Sequence, residues 1–246
     1  MRINAKGIYY RELNRMIREA VENRETEIIL DHVNGQYYIA DGIANPDLTI
    51  IIHGIPGNDL AAFMDGPTVI VYNDAQDNVG NTMNSGKVII HGSAGDVLGY
   101  SMRGGKLHIR GDVGYRVGIH MKGYQDHVPI IVVGDTAGNF LGEYMAGGIL
   151  VLLGLDASPD QPLVGDYLGT GMHGGVMYIR GKVDPFYMGK EVRIEELTEQ
   201  DEQTLSTVLG EYCEDFDLDF EHVRWSTPFT KLISSSHRPY GQLYAH

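Results

Sequence analysis

The chain has 246 residues, 43% of them apolar, enough to bury a sizeable core in one large domain or two. Lys and Arg number 19 against 33 Asp and Glu, so the formal charge of -14 opposes broad attraction to nucleic acid or an anionic membrane. No run approaches the roughly 20 apolar residues of a membrane span, the opening "MRINAKGIYYRELNR" lacks an apolar signal core, and a cytoplasmic location is expected. The single cysteine, Cys213, can form no internal disulfide and cannot supply four thiolates to an iron–sulfur cluster.

In chain order, residues 1–47 predict a cap and two strands. Leu13, Met16, Ile17, Ala20 and Val21 follow the spacing of an amphipathic helix, suited to closing the open end of a repeat structure. The stretch "TEIILDHVNGQYYIADGI" predicts a strand, an Asn-Gly turn and a second strand.

Residues 48–183 carry a repeat. Met64, Met83, Met102 and Met121 lie 19 residues apart, and Met145 and Met172 continue the series after "YQDHVP" and "DASPDQPL", where Pro and Asp mark inserted loops. Five residues after each Met the sequence places Val69, Val88, Leu107, Leu150 and Met177, and seven after it Val71, Ile90, Ile109, Leu152 and Ile179; past the inserted loop that follows Met121 the same two columns are read at Ile130 and Val132. Both columns are apolar, and their alternation is that of strands with one buried face. "TIIIHG", through Ile50 and Ile52, joins them as a seventh copy. Most of the 32 glycines fall in this region at regular intervals, as at Gly80, Gly99, Gly118, Gly142 and Gly169, where a chain turns tightly. A short strand cannot bury its apolar face alone, whereas stacked copies bury a continuous column, so the pattern predicts an all-β solenoid, a parallel β-helix of about seven coils.

In residues 184–246, Thr198 and Asp201 form a capping-box signature, and Leu205, Val208, Leu209 and Tyr212 form a helical stripe. The end, "WSTPFTKLISSSHRPYGQLYAH", is too apolar and aromatic for a solvated tail and is expected to dock. The alternation offers it a place. Outward positions read Ile89, His91, His108 and Arg110 in two coils but Ile131, Val133, Val151 and Leu153 in the next two. These four are interface candidates, covered by the tail or by a partner. On this frame Ile109 points inward between Ile90 and Val132, while His108 points outward and tolerates substitution.

Other motifs have plainer readings. "GTGMHG", Gly169–Gly174, matches a dinucleotide fingerprint but precedes its strand and occupies a repeat corner. His53 and His91 share an outward column with Tyr72 and Arg110, without the carboxylate or thiolate companions of a metal site. Arg103, Arg110, Arg116 and Arg180 read as solvated or ion-paired edges rather than a phosphate site. Asp77, Asp96, Asn139 and Asp166 recur near corners, which suits hydrogen bonding there better than an acid–base pair. Cys213 reads as a small buried residue. The candidate site therefore contains no catalytic, cofactor-binding or metal-binding residue.

The stretches "LAAFMDGPTVIVYNDAQDNVGNTMNSGKVIIHGSAGDVLGYSMRGGKLHIRGDVGYRVGIHMK", "GNFLGEYMAGGILVLLGL" and "GTGMHGGVMYIRG" resemble the glycine-rich (GXGXG) C-terminal β-helix domain of the glutamate synthase large subunit, here as a stand-alone subunit. The similarity covers about Gly54 to Gly181. It implies a right-handed coil and a non-catalytic, scaffolding role in a multi-subunit glutamate synthase-like complex. Glutamine hydrolysis would belong to an amidotransferase (glutaminase) subunit, and reductive amination of 2-oxoglutarate to a subunit holding FMN and iron–sulfur clusters. A possible homo-oligomer is also expected. Subunits of formylmethanofuran dehydrogenase and N-methylglutamate synthase are similar to the same coil and stand as alternatives; a β-helical carbohydrate-active enzyme is an alternative of another class.

Overall fold

The computed structural model describes residues 1–158 and 161–235. It begins with β1 (Arg2–Asn4) and α1 (Tyr10–Glu22), whose Leu13, Ile17 and Ala20 are buried in the same apolar cluster as Ile3, Ile28 and Leu30. The helix thus closes one end of the core. Eight parallel strands follow: β2 (Glu27–Asn34), β3 (Thr49–Ile55), β4 (Asp65–Val71), β5 (Ser85–Ile90), β6 (Lys106–Ile109), β7 (Ile130–Val133), β8 (Ala146–Leu152) and β9 (Gly174–Arg180). Strands β3 to β9 are the seven copies read in the sequence, and the six pairings between them make a β-solenoid of about six turns. A second ladder of single parallel bridges joins Ala75, Ala94, Val113, Ala137 and Val164.

Each corner is built from alternating left-handed residues. In the coil before Met102 these are Val97, Gly99 and Ser101, with φ of 63°, 65° and 52°. The middle position favours glycine for a reason beyond its conformation: a Cβ on Gly99 would come within 2.5 Å of Ile131 Cδ1, and one on Gly142 within 2.6 Å of Met177 Sδ. The missing side chain leaves room for the inward residue of a later strand.

The N-terminal segment departs from expectation. No strand forms over residues 36–43; instead Tyr38, Ala40 and Gly42 repeat the left-handed corner, with φ of 62°, 64° and 61°. Tyr38 N–H donates to Asn58 O and Gly42 N–H to Ala62 O, so the expected hairpin is one more coil, with β2 as its strand. The Asn-Gly pair turns the chain onto the next wall rather than back along the same sheet.

The fourth copy also departs. Leu107 pairs with Ile131 and Ile109 with Val133, and Ile131 and Val133 lie fully buried in the inner cluster with Ile90, Ile109, Leu150 and Leu152. The loop through the Tyr124–His127 bridge puts Ile131 ten residues after Met121, where Leu107 is five after Met102. The inner columns expected at Ile130 and Val132 thus lie one residue later, at Ile131 and Val133, and a one-residue slip exchanges the faces of a strand.

At the far end parallel stacking stops. After a 3-10 turn (Pro185–Tyr187) come β10 (Val192–Glu195), α2 (Glu199–Phe216), α3 (Phe220–Trp225) and β11 (Phe229–Ser234). Strand β11 adds to β9 antiparallel and β10 adds to β11, giving an 11-stranded sheet in the order β1-β2-β3-β4-β5-β6-β7-β8-β9-β11-β10. The capping box forms as expected, with Thr198 N–H donating to Asp201 Oδ2 at 2.7 Å and Asp201 N–H to Thr198 Oγ1 at 3.3 Å.

Candidate interaction surface

The four interface candidates separate into two pairs. Ile131 and Val133 point into the solenoid; Val151 and Leu153 point outward. All four are fully buried within the chain itself, so none offers a surface to a partner. The outward cluster is Val132, Val151, Leu153 and Tyr178, packed against Leu205, Val208, Leu209, Tyr212 and Cys213 of α2. The cover is therefore chiefly α2, joined by Val223 of α3 and, from the stretch after Trp225, by Phe229 of β11. Residues 236–246, the end of the expected docking tail, lie outside the described residues.

Polar contacts fasten this helix at both ends. Near its C-terminus Asp215 accepts hydrogen bonds from Lys87 Nζ at 2.7 Å and His108 Nδ1 at 2.5 Å, while Lys106 pairs with Glu211. His108 is thus buried, 1% exposed, and not the tolerant outward residue expected. Burial would raise the Asp215 pKa, but the hydrogen bonds from His108 and Lys87 outweigh it and hold the carboxyl below its ordinary range. Burial lowers the His108 pKa, so the neutral ring donating from Nδ1 is favoured. Near the N-terminus Asp201 accepts from Tyr178 Oη at 2.6 Å and Lys231 Nζ at 2.8 Å. Burial opposes the Asp201 carboxylate, yet hydrogen bonds from Lys231, Thr198 and Tyr178 keep it ionised. Between these ends Tyr212 Oη donates to Ile109 O at 3.0 Å, lying over Gly134, where a Cβ would come within 2.4 Å of that hydroxyl.

The corner Asp and Asn side chains accept from backbone. Asp77 Oδ1 accepts from Asp96 N–H at 2.8 Å, Asp96 Oδ1 from Tyr115 N–H at 2.8 Å and Asn139 Oδ1 from Asp166 N–H at 3.0 Å, each one coil on. This is the corner bonding that their recurrence suggests. His53, Tyr72 and His91 stack along their column, His91 meeting the Phe216 ring edge-on at 5.2 Å. Among the described residues no group of three or more His, Cys, Asp and Glu is placed to hold a metal ion.

The repeated glycine corner, stacked without interruption along one chain, is the feature that a family comparison can test, and a match to the GXGXG motif spans residues 11–232. The chain belongs to the GXGXG motif family. A relative of this GXGXG protein, an uncharacterised protein of Methanocaldococcus jannaschii, is 48% identical over 248 residues, covering 98% of this chain and 95% of the relative. A chain of the crystal structure of the formyltransferase/hydrolase complex from Methylorubrum extorquens, in complex with methylofuran, superposes with a TM-score of 0.62. The two are 16% identical, with 96% of each chain covered, which is a likeness of fold.

Within the GXGXG protein, "GTGMHG" forms a corner: Gly169 and Gly171 have φ of 67° and 71° and abut Val192 and Tyr144. The stretch packs against side chains where a dinucleotide loop would face phosphate. Cys213 is buried on α2, and burial pushes its thiol up to about 11, away from the reactive thiolate. Sequence reasoning missed the Lys87, His108 and Asp215 cluster, although one signal was present: Asp215 follows Tyr212 by three residues on the stripe side of a predicted helix.

No helix of the described residues is long and apolar enough to cross a membrane.

Proposed function

We propose that the chain is a non-catalytic, scaffolding subunit of a multi-subunit, glutamate synthase-like complex. Its partners are an amidotransferase (glutaminase) subunit and a synthase subunit carrying FMN and iron–sulfur clusters. The observation that carries this reading is the GXGXG family match over nearly the whole chain, on a domain type that the glutamate synthase large subunit contains. The buried polar groups support it: His108, Lys87, Asp215, Asp201 and Lys231 are spent on holding α2 against the coils. The fold shared with a chain of a formyltransferase/hydrolase complex supports a second reading, a β-helix subunit in a one-carbon complex.

The test is reconstitution. The chain is co-expressed with the separate amidotransferase and FMN proteins of its source, and glutamate formation from glutamine, 2-oxoglutarate and an electron donor is measured. The expected result is a ternary complex whose coupled activity falls when this chain is omitted. An equally active and stable complex of the other two proteins alone would refute the proposal, and co-purification with formyltransferase subunits would select the second reading.

A further inference from the structure

One corner of the solenoid carries rings that the fold does not need. Tyr100, His120 and Tyr144 come from successive coils; His120 and Tyr144 stack at 5.3 Å with 8° between planes, and Tyr100 meets His120 edge-on at 6.0 Å. All three side chains are exposed. His120 and Tyr144 occupy the position just before the coil's Met, where the backbone is left-handed with φ of 56° and 51°. Gly171 fills that position before Met172, with φ of 71°. Glycine holds this conformation freely, whereas a ring there costs stability and, facing water, returns nothing to the core.

The rings are also firmly seated. His120 N–H donates to Glu143 O at 3.1 Å and Tyr144 N–H to Thr170 O at 2.9 Å. The Tyr144 ring lies so close to Gly171 that a Cβ there would come within 2.3 Å of Tyr144 Cδ1. Beside the rings, Arg103 and Lys122 directly follow the Met of adjacent coils, both exposed and without an ion-pair partner among the described residues. In a chain of net charge -14, these two cations without ion-pair partners among the described residues offer positive charge at the corner that carries the rings.

We propose that the corner formed by Tyr100, Arg103, His120, Lys122 and Tyr144 is the docking face for a partner polypeptide presenting carboxylates beside an apolar segment. The carboxylates complement Arg103 and Lys122, and the apolar segment covers the rings, which form a contact surface already ordered before binding. The overall negative charge disfavours a nucleic-acid occupant. This inference rests on the reading of the chain as one subunit of a complex.

The assembly is purified from its source through a tag on this chain, and hydroxyl-radical labelling of Tyr100, His120 and Tyr144 is compared with that of the isolated chain at equal radical dose. Labelling of all three is expected to fall at least about fivefold in the assembly. The double variant Arg103→Glu with Lys122→Glu is expected to reduce recovered partner at least about tenfold with an unchanged melting temperature. Equal labelling in both states, recovery of the chain alone, or protection abolished by nuclease each overturns the inference. Glutamate formation is assayed on the same preparation. Protected rings without that activity leave the docking face standing and remove the proposed reaction; activity with unprotected rings does the reverse.

Discussion

Two adjacent residues of β6 show how burial is divided. Ile109 is fully buried in the inner column between Ile90 and Val133, so Ile109→Asp strands a carboxylate among aliphatic side chains and costs at least about 3 kcal/mol. His108 faces the other way yet is equally enclosed, because α2 lies over it and Asp215 accepts from its ring. His108→Asp sets a second carboxylate against Asp215 and is also expected to destabilise strongly. Thermal melts of both variants check this; a near-native melting temperature for His108→Asp would show that α2 does not sit on this strand. The same cluster gives a pH dependence. The His108 pKa is lowered by burial, so its contribution is present above the ordinary imidazole range and is lost as pH falls through 6.5 and below. The Asp215 pKa is also lowered, so its contribution is present above 3.8 and disappears at still lower pH. Stability is therefore expected to decline in two steps on acidification, and His108→Gln should remove the upper one. Denaturant titrations carried from about pH 8 down to about pH 2 measure both steps.

At the level of elements, the cover over β7, β8 and β9 depends on one missing side chain. Gly134 lies beneath Tyr212, where a Cβ would meet Arg110 O at 2.1 Å as well as the tyrosine hydroxyl. Gly134→Ala is expected to lift the middle of α2 at a cost of about 2–3 kcal/mol, while Tyr212→Phe, which only loses its bond to Ile109 O, costs about 1 kcal/mol. The two should combine less than additively, since the phenylalanine removes the hydroxyl contact and leaves the alanine methyl only its clash with Arg110 O. A double-mutant cycle by urea unfolding checks it, and strict additivity would separate the two positions. The elements also show what was legible. The strand columns of six copies, the α2 stripe and the Thr198–Asp201 cap were readable because each is a local pattern. The β7 register was not, because the inserted loop before it can be counted from either side and only inter-coil hydrogen bonding decides where it ends.

For the whole molecule, the solenoid is a stack whose ends are closed differently. Helix α1 covers one end through Leu13, Ile17 and Ala20, and the antiparallel strands β11 and β10 terminate the sheet at the other. A solenoid requires such ends to stay soluble. Leu13→Asp with Ile17→Asp is expected to expose the first coil, raising hydrophobic-dye fluorescence and making sedimentation depend on concentration. Unchanged values in both measurements would show that α1 is not the seal.

By itself the sequence determined the repeat, its period, the identity of the inner columns in most coils and the corner roles of Asp77, Asp96 and Asn139. All of these follow from spacings within a few dozen residues, and stacking only multiplies a local rule. Tertiary structure alone decided that residues 36–43 form a coil instead of a hairpin, since an Asn-Gly turn fits either until a neighbouring coil supplies partners such as Asn58 O and Ala62 O. It also decided what covers the outward apolar face. Val151 and Leu153 announced that something must lie over them, but the partner is some 50 residues away in sequence, and the choice of α2 rests on Asp215 reaching Lys87 and His108 and on Tyr212 fitting over Gly134, contacts that exist only once the coils have brought those residues together.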